Sequence, residues 1–342
     1  MLKRICILIF VFGLIAALAA AQTAPAPGPP PTGSGPYSAV IEGDPGVPGH
    51  TVYRPANMNA FSEKNSLPIL AWGNGGCANS SQFYAPFLAE IASRGFLVVA
   101  IGPFTPESTP STGGMGMGGA TSSAQLIEAI DWATAENRRQ GSKYYQKLDP
   151  TRFAVFGHSC GGLQALEVAS DPRVSTVLVM NSGIFGPEGS PRMTKPQGET
   201  PAGAPQGAAQ KTGKPQGKAP ADAPQGGAPK TPASSGAMTI TKEALQKLHS
   251  PVIYIVGGEE DIAYPQAIDD FARIDKVPVA MADLAVGHGG TYSQPNGGEY
   301  GRVATGWLQW TLKKDEAAGK MFTGPSCELC KDDNWKYEKK NF

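Results

Sequence analysis

The stretch Arg152-Phe153-Ala154-Val155-Phe156-Gly157-His158-Ser159-Cys160-Gly161-Gly162-Leu163-Gln164-Ala165-Leu166 decides how this chain is read. Its first five residues form an apolar run of strand length. Beyond the glycines, Leu163, Leu166 and Val168 have the spacing of a helix with one apolar face. Between the two lies Gly157-x-Ser159-x-Gly161. A serine on so sharp a strand-to-helix turn needs small neighbours two residues away on each side. The turn aims the hydroxyl outward. It also sets the N–H of the next residue, Cys160, at the helix N-terminus, where it can stabilise an oxyanion. The five-residue pattern alone is common. In this strand-turn-helix context it marks Ser159 as a nucleophile rather than a plain glycine turn.

The same alternation extends outward on both sides. Apolar runs at 67–72, 96–101, 175–181, 251–256 and 278–284 have strand length. Helical spacing appears at 82–94, through Phe83, Phe87, Leu88 and Ile91, and Gly95 closes it. It appears again at about 121–140, through Leu126, Ile127, Ile130 and Trp132, and at about 298–312, with a shorter helix at Lys242 to Leu248. Continuous apolar strands separated by helices predict an α/β fold, a mostly parallel central sheet with helices on both faces. The stretches Tyr37–Ile41 and His50–Tyr53 add candidate antiparallel edge strands.

In such a sheet reactive groups sit outside the carboxyl ends of the strands. A serine is a weak nucleophile without a base, and the base needs an orienting acid, here in the chain order Ser, acid, His. There are four histidines. His50 and His158 precede the serine, and His158 is read as packing or hydrogen bonding inside the turn. His249 sits just before a strand, at the opposite end of the sheet. His288 remains, in Leu284-Ala-Val-Gly-His288-Gly-Gly-Thr-Tyr292, just past the last strand. The acid should follow the strand before it. In Gly257-Gly258-Glu259-Glu260-Asp261-Ile262-Ala263-Tyr264-Pro265, Asp261 best matches an acid held ahead of a turn and helix, with Glu260 as fallback. The glycine-rich loop after strand 67–72 is expected to supply the second oxyanion donor. Phe104, Trp72 and Tyr264 lie near strand ends; Phe104 and Tyr264 are carried as substrate contacts, with ordinary packing as the alternative for each. Gly114 to Gly119 spell G-x-G-x-x-G. A dinucleotide site needs that motif directly after a strand. Three prolines separate it from Ile101, so it is read as a loop, and no cofactor or metal is expected.

The chain termini and the middle carry different information. Lys3 and Arg4 precede an apolar run over 5–18, and Ala19 and Ala21 form a small-x-small site before Gln22. That run is short of the ~20 residues a membrane span needs, so 1–21 read as a secretory signal peptide rather than an uncleaved anchor. The product is expected to be secreted or periplasmic, with no stable membrane insertion. Residues 22–36 are Pro/Gly-rich and read as a linker. Residues 186–237 repeat Pro-Gln-Gly among Lys, Ala and Thr and read as a disordered insertion, because they cannot bury enough apolar area to offset ordering. It interrupts one domain over 37–325, followed by a tail over 326–342. Lys plus Arg and Asp plus Glu are each 29, which gives no sign of a nucleic-acid partner. Once Cys6 leaves with the leader, Cys77, Cys160, Cys327 and Cys330 remain. An exported chain with an even count suits disulfides. Cys327-x-x-Cys330 has no second pair and no nearby His, which favours a local disulfide, or a tie to the domain body, over zinc.

With these residues placed, the chain resembles the α/β-hydrolase superfamily, and within it the group of cutinase-like polyester hydrolases, platelet-activating-factor acetylhydrolases and chlorophyllases. The likeness rests on Trp72-Gly-Asn-Gly-Gly-Cys-Ala-Asn-Ser-Ser81, Ile91-Ala-Ser-Arg-Gly-Phe-Leu-Val-Val-Ala100, Gly157-His-Ser-Cys-Gly-Gly162, Gly257-Gly-Glu-Glu-Asp-Ile-Ala-Tyr-Pro265 and Val286-Gly-His-Gly-Gly-Thr-Tyr292. It covers about 37–185 and 240–313, and leaves both Pro-rich segments and the tail unexplained. It implies a nucleophile, acid and base at Ser159, Asp261 and His288. It also implies cofactor-free hydrolysis of a small-molecule or polymeric carboxylic ester. Asn74-Gly75-Gly76 stands where such hydrolases carry His-Gly-x, which implies Gly76 N–H as the oxyanion partner of Cys160 N–H, with Cys77 as the neighbouring alternative. Asn74 in place of histidine and the 186–237 insertion depart from the family pattern. Dienelactone hydrolases on this fold use cysteine at the centre of the turn; here the centre is Ser159, and the Cys160 side chain is expected to point into helix packing. If the two loops meet as the family implies, Cys77 and Cys160 lie close enough for a disulfide. A peptidase or amidase, or a non-catalytic binding protein on the same fold, are the other readings.

Overall fold

The computed structural model describes residues 30–105, 121–186 and 240–342. The proposed signal peptide, most of the Pro-rich linker, the Gly114–Gly119 motif and all but the first residue of the 186–237 insertion lie outside the described residues.

In chain order the elements are β1 (Ala39–Gly43), β2 (His50–Pro55), β3 (Leu67–Gly73), α1 (Ala85–Ser93), β4 (Leu97–Ile101), α2 (Ala124–Arg138), β5 (Leu148–His158), α3 (Cys160–Val168), β6 (Val174–Met180), β7 (Val252–Val256), α4 (Tyr264–Arg273), β8 (Val279–Leu284), α5 (Gly298–Lys313), α6 (Glu316–Gly319) and β9 (Trp335–Lys340). The strands form one sheet in the order β1-β2-β4-β3-β5-β6-β7-β8-β9. From β4 through β8 all neighbours are parallel. At the edges, β1 and β2 are antiparallel to their neighbours, and β9 is antiparallel to β8. This is the mostly parallel, mixed sheet of an α/β-hydrolase fold.

Strand periodicity explains why the apolar runs are unbroken. In β3, Ile69 and Ala71 join the core that α2 and α3 cover, while Leu70 and Trp72 join the core under α1 and α5. Every position is inward on one face or the other, so none needs to be polar. The chain also reverses direction across the sheet at β3: β4 lies on one side of it and β5 on the other. Such a switch point opens a crevice at the carboxyl ends of the two strands. The helix starts are fixed by prolines, Pro86 in α1 and Pro265 in α4, whose missing N–H costs nothing in a first turn. For that reason the helix expected from residue 82 begins at Ala85, behind a 3₁₀ turn over Gln82–Tyr84.

One segment differs from the sequence expectation, and a second, the tail, was left open by it. The described end of the Pro-rich linker is docked, not free. Ser34 N–H donates to Glu90 Oε2 at 2.6 Å, Ser34 Oγ to Glu90 Oε1 at 3.0 Å, and Gly35 N–H to Ser93 Oγ at 2.9 Å. Glu90 is buried and needs partners, and a Gly/Ser segment has free backbone donors to offer. The tail is also part of the fold. Cys327 and Cys330 form a local disulfide, and β9 pairs along the whole of β8, from Val279↔Lys340 to Leu284↔Trp335. No helix among the described residues is long and apolar enough to cross a membrane.

Candidate active site

The Gly157–Gly161 turn has the geometry that its glycines predict. Ser159 sits at φ +52° and ψ −116° as the N-cap of α3, in a region that L-residues rarely occupy. The surroundings hold it there: Ser159 N–H donates to Met180 O at 2.9 Å, and Ser182 Oγ donates to Ser159 O at 2.7 Å. A Cβ on Gly161 would run into the carbonyl of Gly73, and one on Gly157 into the carbonyl of Gly161. The glycines therefore let α3 close directly onto β3 and β5.

His288 and Asp261 come to this turn from the loops after β8 and β7. His288 Nε2 lies 3.0 Å from Ser159 Oγ, and His288 Nδ1 lies 2.6 Å from Asp261 Oδ1. A carboxylate only accepts, so Nδ1 carries the proton and the Nε2 lone pair faces the serine hydroxyl. Asp261 is buried and takes three further donors: Gly257 N–H at 3.0 Å, Ala263 N–H at 3.0 Å and Asn181 Nδ2 at 2.7 Å. Burial, the largest influence, pushes its carboxyl up; the bonds from His288, Ala263, Asn181 and Gly257 outweigh it and hold the carboxyl below the usual range. Glu260 is exposed, and His288 Nδ1 pairs with Asp261 Oδ1 instead.

His158 faces the same region from beneath. Its Nε2 is 2.9 Å from the carbonyl of His288, and its Nδ1 is 2.8 Å from Tyr84 Oη, which accepts the Gly75 N–H at 2.9 Å. The carbonyl only accepts, so His158 Nε2 donates and Nδ1 receives the Tyr84 hydroxyl proton. Burial, reinforced by repulsion from His288, takes this imidazole down to about 3 and keeps it neutral. His158 thus joins the loop after β3 to the backbone of His288.

The other named positions are distributed as follows. Gly76, at φ +62°, and Cys77, at φ +50°, form the turn after β3. Asn74, in the place of the family's histidine, staples that turn: Trp72 Nε1 donates to its Oδ1 at 2.8 Å, and its Nδ2 donates to Ala78 O and Ile101 O. Cys160 is the first residue of α3, and its side chain forms a disulfide with Cys77 rather than packing within the helix. Tyr264 opens α4, packs on the core and donates its N–H to Asp261 O at 2.8 Å. Phe104 lies over Gly43, at the end of β1, four strand positions from β5.

Sequence reasoning missed Asn181. It follows β6, donates to Asp261 and to Tyr300 Oη at 3.1 Å, and accepts from Tyr292 Oη at 2.6 Å. The available signal was an asparagine directly after the apolar run Val177–Met180, at the reactive end of the sheet. It also missed four exposed apolar side chains, Phe83, Phe185, Ile262 and Val286, in the segments that follow β3, β6, β7 and β8. Among the described residues no group of three His, Cys, Asp or Glu side chains is arranged to hold a metal ion.

Comparison with known proteins gives a family likeness for the N-terminal half of the chain. Residues 20–182 match the PET hydrolase-like family. The match contains the Ser159 turn and the loop after β3; Asp261 and His288 lie beyond it. The chain is also 30% identical to cutinase est1 of Thermobifida alba over 142 residues, 40% of this chain and 42% of that protein. It is 31% identical to cutinase est2 of the same organism over 142 residues, 40% of this chain and 41% of that protein. The chain thus spans about two fifths of the length of these relatives. The PET hydrolase-like likeness and the mostly parallel sheet are both consistent with an α/β-hydrolase fold.

Proposed function

We propose that this chain is a secreted serine hydrolase that cleaves carboxylic esters through an acyl-enzyme. The observation that carries this reading is the relay from Asp261 Oδ1 to His288 Nδ1 at 2.6 Å and from His288 Nε2 to Ser159 Oγ at 3.0 Å. His288 takes the hydroxyl proton as Ser159 attacks the ester carbonyl. Asp261 holds the imidazole in the tautomer that can do so and stabilises the imidazolium that forms. The oxyanion rests on Gly76 N–H and Cys160 N–H, the latter at the free end of α3. His288 then protonates the leaving alcohol, and water hydrolyses the acyl-enzyme by the same route in reverse. No step calls for a cofactor.

The ester class is supported by the likeness to PET hydrolase-like proteins and cutinases. The exposed side chains of Phe83, Phe185, Ile262 and Val286 favour an apolar acyl or alcohol group, small or polymeric. Export is supported by the character of residues 1–21 and by two disulfides, which persist in oxidising compartments.

The test is turnover of p-nitrophenyl acetate, butyrate and octanoate by the mature chain beside Ser159→Ala. The expected result is hydrolysis by the wild type and a loss of roughly 10⁴-fold or more in kcat in the variant. Equal rates would remove Ser159 as nucleophile. No ester turnover, but cleavage of anilides, would make the protein an amidase. No turnover together with no labelling of Ser159 by a fluorophosphonate would make it a binding protein.

A further inference from the structure

The two amides assigned to the oxyanion come from segments 83 residues apart, and one covalent bond joins those segments. Cys160 follows Ser159 directly and carries one amide; Cys77 follows Gly76, which carries the other. Their side chains are bonded, with the Cα atoms 5.2 Å apart. Cys77 ends a single 3₁₀ turn, Gly75–Cys77, closed by Ala78 N–H donating to Gly75 O at 3.1 Å. Gly76 and Cys77 both have positive φ, which for a non-glycine residue is an unfavourable conformation kept only by its surroundings. The non-covalent ties reach the turn from its flanks. Asn74 holds the entry and exit, the Tyr84 hydroxyl holds Gly75, and Thr121 Oγ1 donates to Cys77 O at 2.9 Å. Gln164 of α3 donates to that same Thr121 hydroxyl at 3.2 Å. The disulfide links Cys77 covalently to the first residue of α3, and Gln164 Nε2 of the same helix lies 3.8 Å from Cys77 Sγ.

We propose that the Cys77–Cys160 disulfide is a positioning element of the oxyanion site. It fixes Gly76 N–H against Cys160 N–H, so that ester hydrolysis depends on the oxidised state of this pair. The proposal rests on the serine esterase reading. Oxyanion donors act only within about 2.7–3.1 Å of the developing charge, and a displacement of about 1 Å can cost ~10²-fold in rate. Without the bond Cys77 is free to leave its positive φ and carry the Gly76 N–H with it. Both cysteines are partly exposed, so a dithiol reductant can reach them. Its thiolate attacks one sulfur to form a mixed disulfide. Its second thiol then closes a cyclic disulfide on the reductant, and Cys77 and Cys160 leave as two thiols with the two protons of the dithiol.

The experiment compares wild type, Cys77→Ala/Cys160→Ala and Cys327→Ala/Cys330→Ala, on p-nitrophenyl butyrate and by amide hydrogen exchange over residues 74–80. The expected result for the Cys77/Cys160 variant is a kcat lower by about 10- to 100-fold, KM within about threefold, and faster exchange at 74–80. The tail variant should keep its kcat. A Cys77/Cys160 variant with wild-type kcat and exchange would overturn the proposal, as would non-reduced peptide maps showing both residues as free thiols. Should that variant not fold, wild type reduced by a dithiol takes its place: kcat must fall and must return on reoxidation, with an unchanged circular dichroism spectrum, and constant kcat refutes the clamp. If the wild type itself hydrolyses no ester, the esterase reading fails on its own. Exchange over 74–80 then decides the clamp, by rising or staying constant when the bond is removed.

Discussion

Asp261→Asn keeps the shape of the Ser159 relay while changing what the imidazole can do. An amide nitrogen facing His288 Nδ1 would drive the proton to Nε2, the atom that takes the serine's proton in the proposed mechanism. The expected outcome is a kcat lower by about 10³- to 10⁴-fold with KM little changed, measured on the same p-nitrophenyl esters. His158 is the second informative side chain. It reacts with nothing, yet it holds the His288 carbonyl at 2.9 Å and the Tyr84 hydroxyl at 2.8 Å. His158→Phe takes away the donor to the His288 carbonyl and the acceptor of the Tyr84 hydroxyl proton, although Tyr84 Oη still accepts the Gly75 N–H. A loss of about 1–3 kcal/mol in urea unfolding is expected, with kcat lowered because the loop bearing the base is released. Unchanged stability would show that neither bond matters in solution.

Among the elements, β9 departs furthest from the motif-based reading. It is formed by the tail that the family resemblance left unexplained, and it shields the edge of β8, the strand that leads to His288. Unpaired parallel-sheet edges expose backbone groups that would otherwise recruit other chains. Trp335 anchors this strand. It is 5% exposed, and its Nε1 donates to Glu299 Oε2 at 3.1 Å. Trp335→Ala should cost about 3–5 kcal/mol, read as a lower urea midpoint, through the lost contacts and the cavity left behind. A shift below about 1 kcal/mol would mean that β9 docks only loosely.

The response of the folded chain to pH combines groups far apart. Burial holds His158 at about 3, below the ordinary histidine value of 6.5. The stability it contributes is fully present above 6.5 and is lost as pH falls toward 3, because the unfolded chain then binds the extra proton. Asp270 acts in the opposite sense. Burial raises it to about 6 against the partial compensation of Lys242, so its contribution is present below 3.8 and lost as pH rises through 6. Between about pH 4 and 6 the two slopes oppose each other, each worth about 1.4 kcal/mol per pH unit. His158→Phe should lower the slope of unfolding free energy against pH by that amount in this window. Asp270→Asn should raise it by the same amount. Unfolding curves at pH 4, 5 and 6 for the three proteins check both signs.

The arrangement of β and α segments and the chain positions proposed for the nucleophile, Ser159, and the base, His288, could be read from the linear order of residues. Strand and helix periodicities are local. The glycines of the Ser159 turn are required by a local clash, and elimination left few histidines to choose from. The edge strands β1 and β2 were legible for the same local reason. Asn181, Tyr84 and Tyr292 were not, because a polar side chain looks the same in sequence whether it faces solvent or a buried polar group 74 to 119 residues away. The docking of Ser34 and Gly35 on α1 and of the tail on β8 was hidden likewise, since polar and Pro/Gly-rich composition reports the lack of an apolar core and not the presence of backbone donors. The choice of Asp261 over Glu260 as the partner of His288, and the bond from Cys77 to Cys160, were open alternatives until the chain was folded. Each depends on the direction of a side chain at a turn, and that direction is set by long-range packing of the sheet and not by the residues next to it.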